Sequence, residues 1–182
     1  GVPHCPKCGL PIRSQTPEQM AASILSLPTG TRLLLMAPLV RARKGAHAEV
    51  FQSIRRAGLI RARIDGEVAE IDGPPKLAKT KVHSIDAVVD RLVVREGVGP
   101  RLAESLGLAL KLADGLATIA VDVGGAWEDR TMSIHHACPD CGNQDLKPQG
   151  RGTQRLEATL QTLFPGRRVL RIDRDSTRRK GS

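Results

Sequence analysis

Two Cys-x-x-Cys pairs lie far apart in the chain, and they constrain its fold more than any other feature of the sequence. Both pairs contain a proline and are followed by a glycine, as Cys-Pro-Lys-Cys-Gly and Cys-Pro-Asp-Cys-Gly. Such tight turns direct two thiolates to one point, and four thiolates satisfy the tetrahedral coordination of zinc. In a cytoplasmic protein, paired cysteines favour metal binding over disulfide formation. The candidate zinc ligands are Cys5, Cys8, Cys138 and Cys141.

Three interpretations of these cysteines stay open from the sequence. A single zinc ion shared by all four would hold together the two ends of the segment between the pairs. That arrangement suits a domain inserted into a larger protein, because the termini of such a domain lie close together. Alternatively, each pair is half of a site completed by ligands outside this chain, or the thiols stay reduced without metal. His4, His135 and His136 lie beside the pairs and could replace a thiolate.

The segment between the cysteine pairs alternates helical and strand patterns, which predicts an α+β domain over residues 16–130. Thr16, Pro17 and Gln19 have the order of a capping box with proline in the first turn, so a helix begins there and ends at Pro28. We expect a mixed or antiparallel sheet with two to three helices. The other predicted elements are strands at 32–40, 59–64, 67–71, 84–95 and 116–122, a basic loop at 41–45, and helices at 46–57 and after Pro100. Asp65-Gly66 predicts a hairpin turn between the strands at 59–64 and 67–71.

The chain is basic, with 28 Lys and Arg against 19 Asp and Glu and a net charge of +9. Such a surface suits a polyanion, because lysines and arginines displace counterions from phosphates, although the same charge also serves solubility. Two Phe, one Trp and no Tyr argue against a platform that stacks nucleic-acid bases. We therefore expect weak, non-specific DNA binding that falls steeply with salt.

The sequence contains no complete catalytic site. The phosphate-binding pattern G-x-x-x-x-G-K-[ST] is missing, as are H-E-x-x-H and G-x-S-x-G. We therefore expect no enzymatic activity from this chain. No apolar run approaches the roughly 18 residues of a membrane span, and the N-terminus lacks a signal pattern. The expected location is cytoplasmic, without a membrane partner.

Residues 1–135 resemble the UvrA family of bacterial excision-repair proteins. The matching segments are 1–9, 15–17, 31–39, 43–45, 61–66, 89–95, 101–105 and 109–115. In that family this region is the inserted domain that docks the partner UvrB, beside the first ATP-binding module. The resemblance implies a non-catalytic interaction domain of nucleotide excision repair, with a UvrB-like partner. It also implies that the parent protein is a homodimeric ATPase.

Residues 137–182 are similar instead to the PriA family of replication-restart helicases. The matching segments are 145–153, 163–166 and 171–181, and the string Ala-Cys-Pro-Asp-Cys-Gly is common to both families. The predicted boundaries are a first cysteine knuckle over 1–15, a second over 131–150, and a short helix-strand tail over 151–182. The alternative interpretation is therefore a fragment of an ATP-dependent DNA helicase, or a chimera of the two families. The greater length of the first match favours UvrA.

The UvrA resemblance also implies that Arg61 and Arg91 contact UvrB. The alternation of residues 59–64 predicts an inward set, Ile60, Ala62 and Ile64, and a solvent-facing set, Arg61 and Arg63. The planar guanidinium of arginine pairs with carboxylates through two hydrogen bonds, so acidic residues of UvrB are the expected partners. The alternative is two ordinary solvated arginines. If they contact UvrB, alanine at either position weakens binding at least about tenfold, or about 1.4 kcal/mol.

Overall fold

The computed structural model describes residues 14–71 and 75–135, together with His4, Cys5, Gly9, Cys138 and Leu163. Contacts divide the chain between Leu146 and Lys147, and all elements below belong to the first unit. Within the described residues, no helix is long and apolar enough to cross a membrane. The helices are α1 (Pro17–Leu25), α2 (Ala48–Arg56) and α3 (Gly99–Leu112), and the strands are β1 (Arg32–Lys44), β2 (Arg61–Ile64), β3 (Glu67–Glu70), β4 (Val82–Val93), β5 (Leu116–Val123) and β6 (Ala126–Ser133).

Helix α1 begins as the sequence predicts. The Gln19 backbone N–H donates to Thr16 Oγ1 over 3.3 Å, and the Thr16 N–H donates to Gln19 Oε1 over 2.9 Å. These reciprocal bonds satisfy two amide groups that the first turn of a helix leaves without partners. Met20 and Ile24, one turn apart, bury the inner face of the helix. The predicted capping box is confirmed.

All six strands form one antiparallel sheet in the order β3-β2-β4-β1-β5-β6. The predicted hairpin between β2 and β3 is present, with Asp65 and Gly66 both at positive φ. The prediction of a basic loop at 41–45 was wrong for its first four residues, because Arg43 and Lys44 still pair with β4. Strand β6 was not predicted, because its first five residues are exposed and mostly polar and form no apolar run.

The helices cover one face of the sheet and leave the other, here called the concave face, without a helical layer. Side chains of β1 alternate between the faces, with Leu33 and Leu35 packed in the large core that includes the helices. Leu34 and Met36 point to the concave face, where they form a second buried cluster with Val88 and Ala120. The sheet therefore buries apolar side chains on both of its faces.

Strong curling of the sheet explains how the second cluster is covered. Strands β2 and β6 are separated by three others, so in a flat sheet they would lie roughly 19 Å apart at about 4.8 Å per interval. Yet Arg63 of β2 hydrogen-bonds Asp129 of β6 at 2.6 and 2.7 Å. Side chains of arginine and aspartate cannot bridge the distance that would separate β2 and β6 in a flat sheet. The sheet must therefore curl until its outer strands meet across the concave face.

Candidate functional site on the concave face of the sheet

Arg63 lies in the middle of the concave face and is enclosed by carboxylates. It donates from Nε and Nη2 to Asp86 at 3.0 and 2.8 Å, besides its two bonds to Asp129. Only 15% of its side chain is exposed. Hydrogen bonds to Asp129 and Asp86 hold the pKa of Arg63 above its usual range, and burial raises the pKa of Asp86. The prediction that Arg63 faces solvent was wrong, because the curl places Asp129 over it.

Arg61 and Arg91, by contrast, line one open cavity of about 320 Å³ at the edge of the same face. We call it the arginine cavity. It opens where the chain before β2 separates from β4, beside a β-bulge at Val89, where β4 has one residue more than its partner β1. Bulges re-aim neighbouring side chains and interrupt strand pairing. The cavity is lined by Gly58, Ile60, Arg61, Val89, Arg91 and Arg101, among others.

The two arginines differ in their partners. Arg61 donates to Glu70 Oε1 from Nε and Nη2 at 3.1 and 2.7 Å, and 37% of its side chain remains exposed. Arg91 is exposed, and within the described residues its guanidinium makes no ion pair. Arg91 is therefore the more available cation of the two. The prediction that Ile60 faces inward was wrong, because residue 60 lies before the part of β2 that pairs with β4, and it is 64% exposed.

Asp90, which follows the bulge, fixes this edge to helix α3. Its carboxylate accepts from Arg101 at 2.6 and 2.9 Å and from the Ser105 hydroxyl at 2.8 Å. Burial opposes ionisation of Asp90, but Arg101, Ser105 and the Arg91 backbone N–H together lower its pKa. The Asp90 carboxylate is thus occupied by α3, so it does not neutralise the guanidinium of Arg91. Sequence patterns did not reveal this arrangement.

A second cavity of about 380 Å³ adjoins the first and shares Arg91. We call it the tryptophan cavity, because Trp127 forms one wall. Its lining includes Arg32, Leu34, Val68, Arg91, Val93 and Trp127. Val68 lies on β3 and Trp127 on β6, so the curl brings the two edge strands together here as well. Trp127 was not predicted as a site residue, although a single tryptophan close to the Gly124-Gly125 turn is a signal of an exposed aromatic side chain.

Of the four predicted zinc ligands, Cys5 and Cys138 are described, and both are buried in one shared cluster. The Gly9 backbone N–H donates to the Cys5 carbonyl over 2.9 Å. Cys8 and Cys141 lie outside the described residues, as does His136. His4 and His135 are exposed. The fold thus brings one cysteine of each pair together from opposite ends of the domain.

Comparison with known proteins assigns the family. Residues 15–122 match the UvrA interaction domain, and this range covers strands β1 to β4 and most of β5. The chain is 51% identical to UvrABC system protein A of Bacillus subtilis over 142 residues, which are 78% of this chain and 14% of the relative. The Pseudomonas aeruginosa protein of the same name is 47% identical over 152 residues, 82% of this chain and 16% of the relative.

A third relative extends the match beyond the domain. UvrABC system protein A of Halalkalibacterium halodurans is 49% identical over 184 aligned residues, 92% of this chain and 19% of the relative. A match over 92% of the chain necessarily enters residues 137–182, so these relatives give no support to the PriA resemblance there. The chain spans less than a fifth of the length of these relatives. It belongs to the UvrA family and carries that family's interaction domain.

Proposed function

We propose that this chain docks a UvrB-like protein in nucleotide excision repair, and that the arginine cavity is the docking site. The observation that carries the proposal is the convergence of Arg61 and Arg91 on one open cavity. Arginines in partly enclosed positions are frequent energetic centres of protein interfaces. Their planar guanidinium groups fit carboxylates, so the partner surface is acidic at this point.

The contrast with Arg63 supports this choice of surface. Arg63 lies on the same face, but it makes four hydrogen bonds to Asp86 and Asp129, and these two carboxylates neutralise its charge. Arg91 is exposed, and its guanidinium makes no ion pair with any of the described residues. A domain that keeps Arg63 neutralised and leaves Arg91 available can bind an acidic partner at Arg91 without loss of the Arg63 ion pairs.

Titration of a UvrB-like protein against alanine variants tests the proposal. Arg91→Ala and Arg61→Ala should each weaken binding at least about tenfold, which is about 1.4 kcal/mol. Truncation of one member of a desolvated charged pair costs this much or more, whereas an exposed rim charge costs little. Arg130→Ala is the matched control, because Arg130 pairs with Ile119 on the helical side of β6 and lines neither cavity.

All three variants should unfold at the same denaturant concentration as the parent chain, because exposed substitutions change stability by only about 0.5 kcal/mol. Unaltered affinity in both Arg61→Ala and Arg91→Ala would place the docking surface elsewhere. Equal weakening of binding by Arg130→Ala would mean that the effect comes from the net charge of the domain and not from the arginine cavity.

We further propose that one zinc ion, held by Cys5, Cys8, Cys138 and Cys141, joins the two ends of the domain. Burial of Cys5 and Cys138 in one cluster supports a shared site over two half-sites. A thiolate donor set fits zinc, which would supply structural cross-linking here and no chemistry. Such a site contributes folding free energy, because binding requires both ends of the domain to be in place.

Metal content of a Cys138→Ser variant tests the shared site. The parent chain should hold about one equivalent of zinc and the variant much less, because the remaining thiolates cannot complete a tetrahedral site. A matched control is Ser133→Ala, a buried polar side chain near the second pair that is no metal ligand. A full equivalent of zinc in the Cys138→Ser variant would rule out shared coordination.

A second candidate function is weak binding of the DNA backbone at the far end of β1. Arg43 and Lys44 are exposed there, and they pair with His83 and Val82 of β4. Lys79 and Lys81, just before β4, are exposed as well, so four cations lie at one end of the sheet. Such a cluster contacts phosphates without reading bases.

Duplex-binding titrations at several salt concentrations test this second function. Each phosphate contact adds about 0.9 to the slope of log affinity against log salt. Joint replacement of Arg43, Lys44, Lys79 and Lys81 by alanine should therefore flatten that slope. Sequence-selective binding that persists at high salt would contradict the candidate.

A further inference from the structure

The tryptophan cavity combines exposed apolar side chains with a cationic rim. Trp127 is 51% exposed, Val93 44% and Val68 39%, and the three come from three different strands. They meet only because the sheet curls, so their proximity is a product of the fold. Single exposed apolar residues are ordinary, but a concave group that includes tryptophan marks a surface that another molecule covers.

Charges around this cavity define the chemistry of its occupant. Arg91 stands at its edge and also lines the arginine cavity, so the two cavities form one continuous surface. Arg32 lies on the other side, where it is paired with Asp122 of β5. Because Asp122 pairs with Arg32, it does not neutralise Arg91, and the edge of the cavity at Arg91 keeps a positive charge.

We propose that the tryptophan cavity receives an aliphatic or aromatic side chain of the same acidic partner, next to the carboxylate that Arg91 binds. This inference rests on the proposed docking function and adds an apolar anchor to it. The guanidinium of Arg91 orients the partner by charge, while Trp127 and Val93 bury its neighbouring apolar group. Tryptophan and arginine are both enriched among the hot-spot residues of protein interfaces.

The contributions of the Arg91 ion pair and of the apolar anchor to binding can be separated by their response to salt. The attraction between Arg91 and a carboxylate of the partner weakens as salt rises, because counterions screen both charges before they meet. Burial of apolar surface, at about 25 cal/mol per Å², does not weaken in this way. A partner held by both should therefore lose only the arginine contribution at high salt.

Binding of a UvrB-like protein to the full chain, at low and at high salt, tests the anchor. Trp127→Ala should weaken binding about tenfold or more at both salt concentrations, and Val93→Ala by several-fold, since each removes buried apolar area. Arg91→Ala should weaken binding more at low salt than at high salt. Val123→Ala is the matched control for Val93→Ala, because Val123 is 48% exposed at a strand end but lines neither cavity.

The outcomes distinguish the anchor from the docking function. If Arg91→Ala weakens binding while Trp127→Ala leaves it unchanged, docking stands and the anchor is overturned. If neither variant alters binding, both ideas fail together. Weakening by Trp127→Ala alone supports an apolar docking site and overturns the pairing of Arg91 with a carboxylate. Loss of binding by Val123→Ala equal to that of Val93→Ala would also overturn the anchor.

A direct readout is available because the chain contains one tryptophan. Labelling with 5-fluorotryptophan gives a single ¹⁹F resonance from Trp127, and an unlabelled partner contributes no signal. Saturating UvrB-like protein should shift that resonance, and the shift should persist in the Arg130→Ala variant. An unshifted resonance at full occupancy would place the partner away from the cavity.

Discussion

Arg63 and Arg91 lie on the same concave face, yet their surroundings give them opposite roles. Arg63 bonds two aspartates, one of which comes from the far side of the curled sheet. Arg91 lies beside a bulge, and its neighbour Asp90 is committed to α3. The middle of the face therefore stabilises the curl, whereas its edge is available to a partner. What an arginine does here depends on which carboxylates the fold brings to it.

The largest expected effect concerns the middle of the face. Arg63→Ala should lower the free energy of unfolding by roughly 3 kcal/mol, because it leaves Asp86 buried without its cation. Chemical denaturation of the variant measures this loss. The double variant Arg63→Ala/Asp86→Ala should recover part of it, since no buried charge remains. A loss of unfolding free energy below about 1 kcal/mol, as for exposed ion pairs, would mean that Arg63 stabilises the fold no more than the arginines at the edge do.

A smaller effect is expected at the edge, where Glu70 competes with the partner for Arg61. Glu70→Gln removes that competitor and should tighten binding of a UvrB-like protein about two- to threefold, in keeping with the modest strength of exposed ion pairs. The Arg61→Ala/Glu70→Gln double variant should show no such gain. Tighter binding in the double variant as well would mean that Glu70 acts by repulsion alone and not through Arg61.

The smallest expected effect is a pH dependence far from the docking surface. His83 faces Asp65 Oδ2 at 2.7 Å through Nδ1 and the Ala78 carbonyl at 3.1 Å through Nε2. Both partners accept, so only the protonated ring satisfies both. Asp65 raises the pKa of His83 above its ordinary 6.5, and His83 lowers the pKa of Asp65 below its ordinary 3.8.

The sign of this pH effect follows from the two shifts. The contribution of His83 is complete below pH 6.5 and is lost as pH rises through the raised pKa. The contribution of Asp65 is present above pH 3.8 and is lost as pH falls through the lowered pKa. The stability difference between the parent chain and His83→Gln should therefore peak between these values. A difference that grows above pH 8 in denaturation experiments would contradict the assignment.

Local sequence signals predicted most of the fold. The capping box at Thr16 and the hairpin at Asp65-Gly66 each depend on a few adjacent residues, and both were confirmed. Edge strand β6 was missed because an exposed polar strand leaves no apolar pattern. The consecutive valines Val88 and Val89 interrupt the apolar alternation of β4, and the structure explains the interruption as the bulge.

The different roles of Arg61, Arg63 and Arg91 could not be predicted from the sequence. The alternation of β2 puts Arg61 and Arg63 on one face, and the structure confirms that placement. The alternation alone does not show that β6 passes over Arg63 and leaves Arg91 open, because that arrangement depends on the curl of all six strands. Trp127 joins Val68 and Val93 for the same reason. Contacts between strands far apart in the sheet leave no local pattern.

The most direct test of the central claim is a charge reversal at the edge of the concave face. Calorimetric titration of a UvrB-like protein would compare Arg91→Glu with Arg130→Glu, an equal change of charge on the other side of the sheet. We expect Arg91→Glu to weaken binding about 100-fold or more, which is about 2.7 kcal/mol, and Arg130→Glu to stay within about twofold, as expected of a charge outside the interface. Equal affinities for the two variants would contradict the assignment of this face as the docking surface.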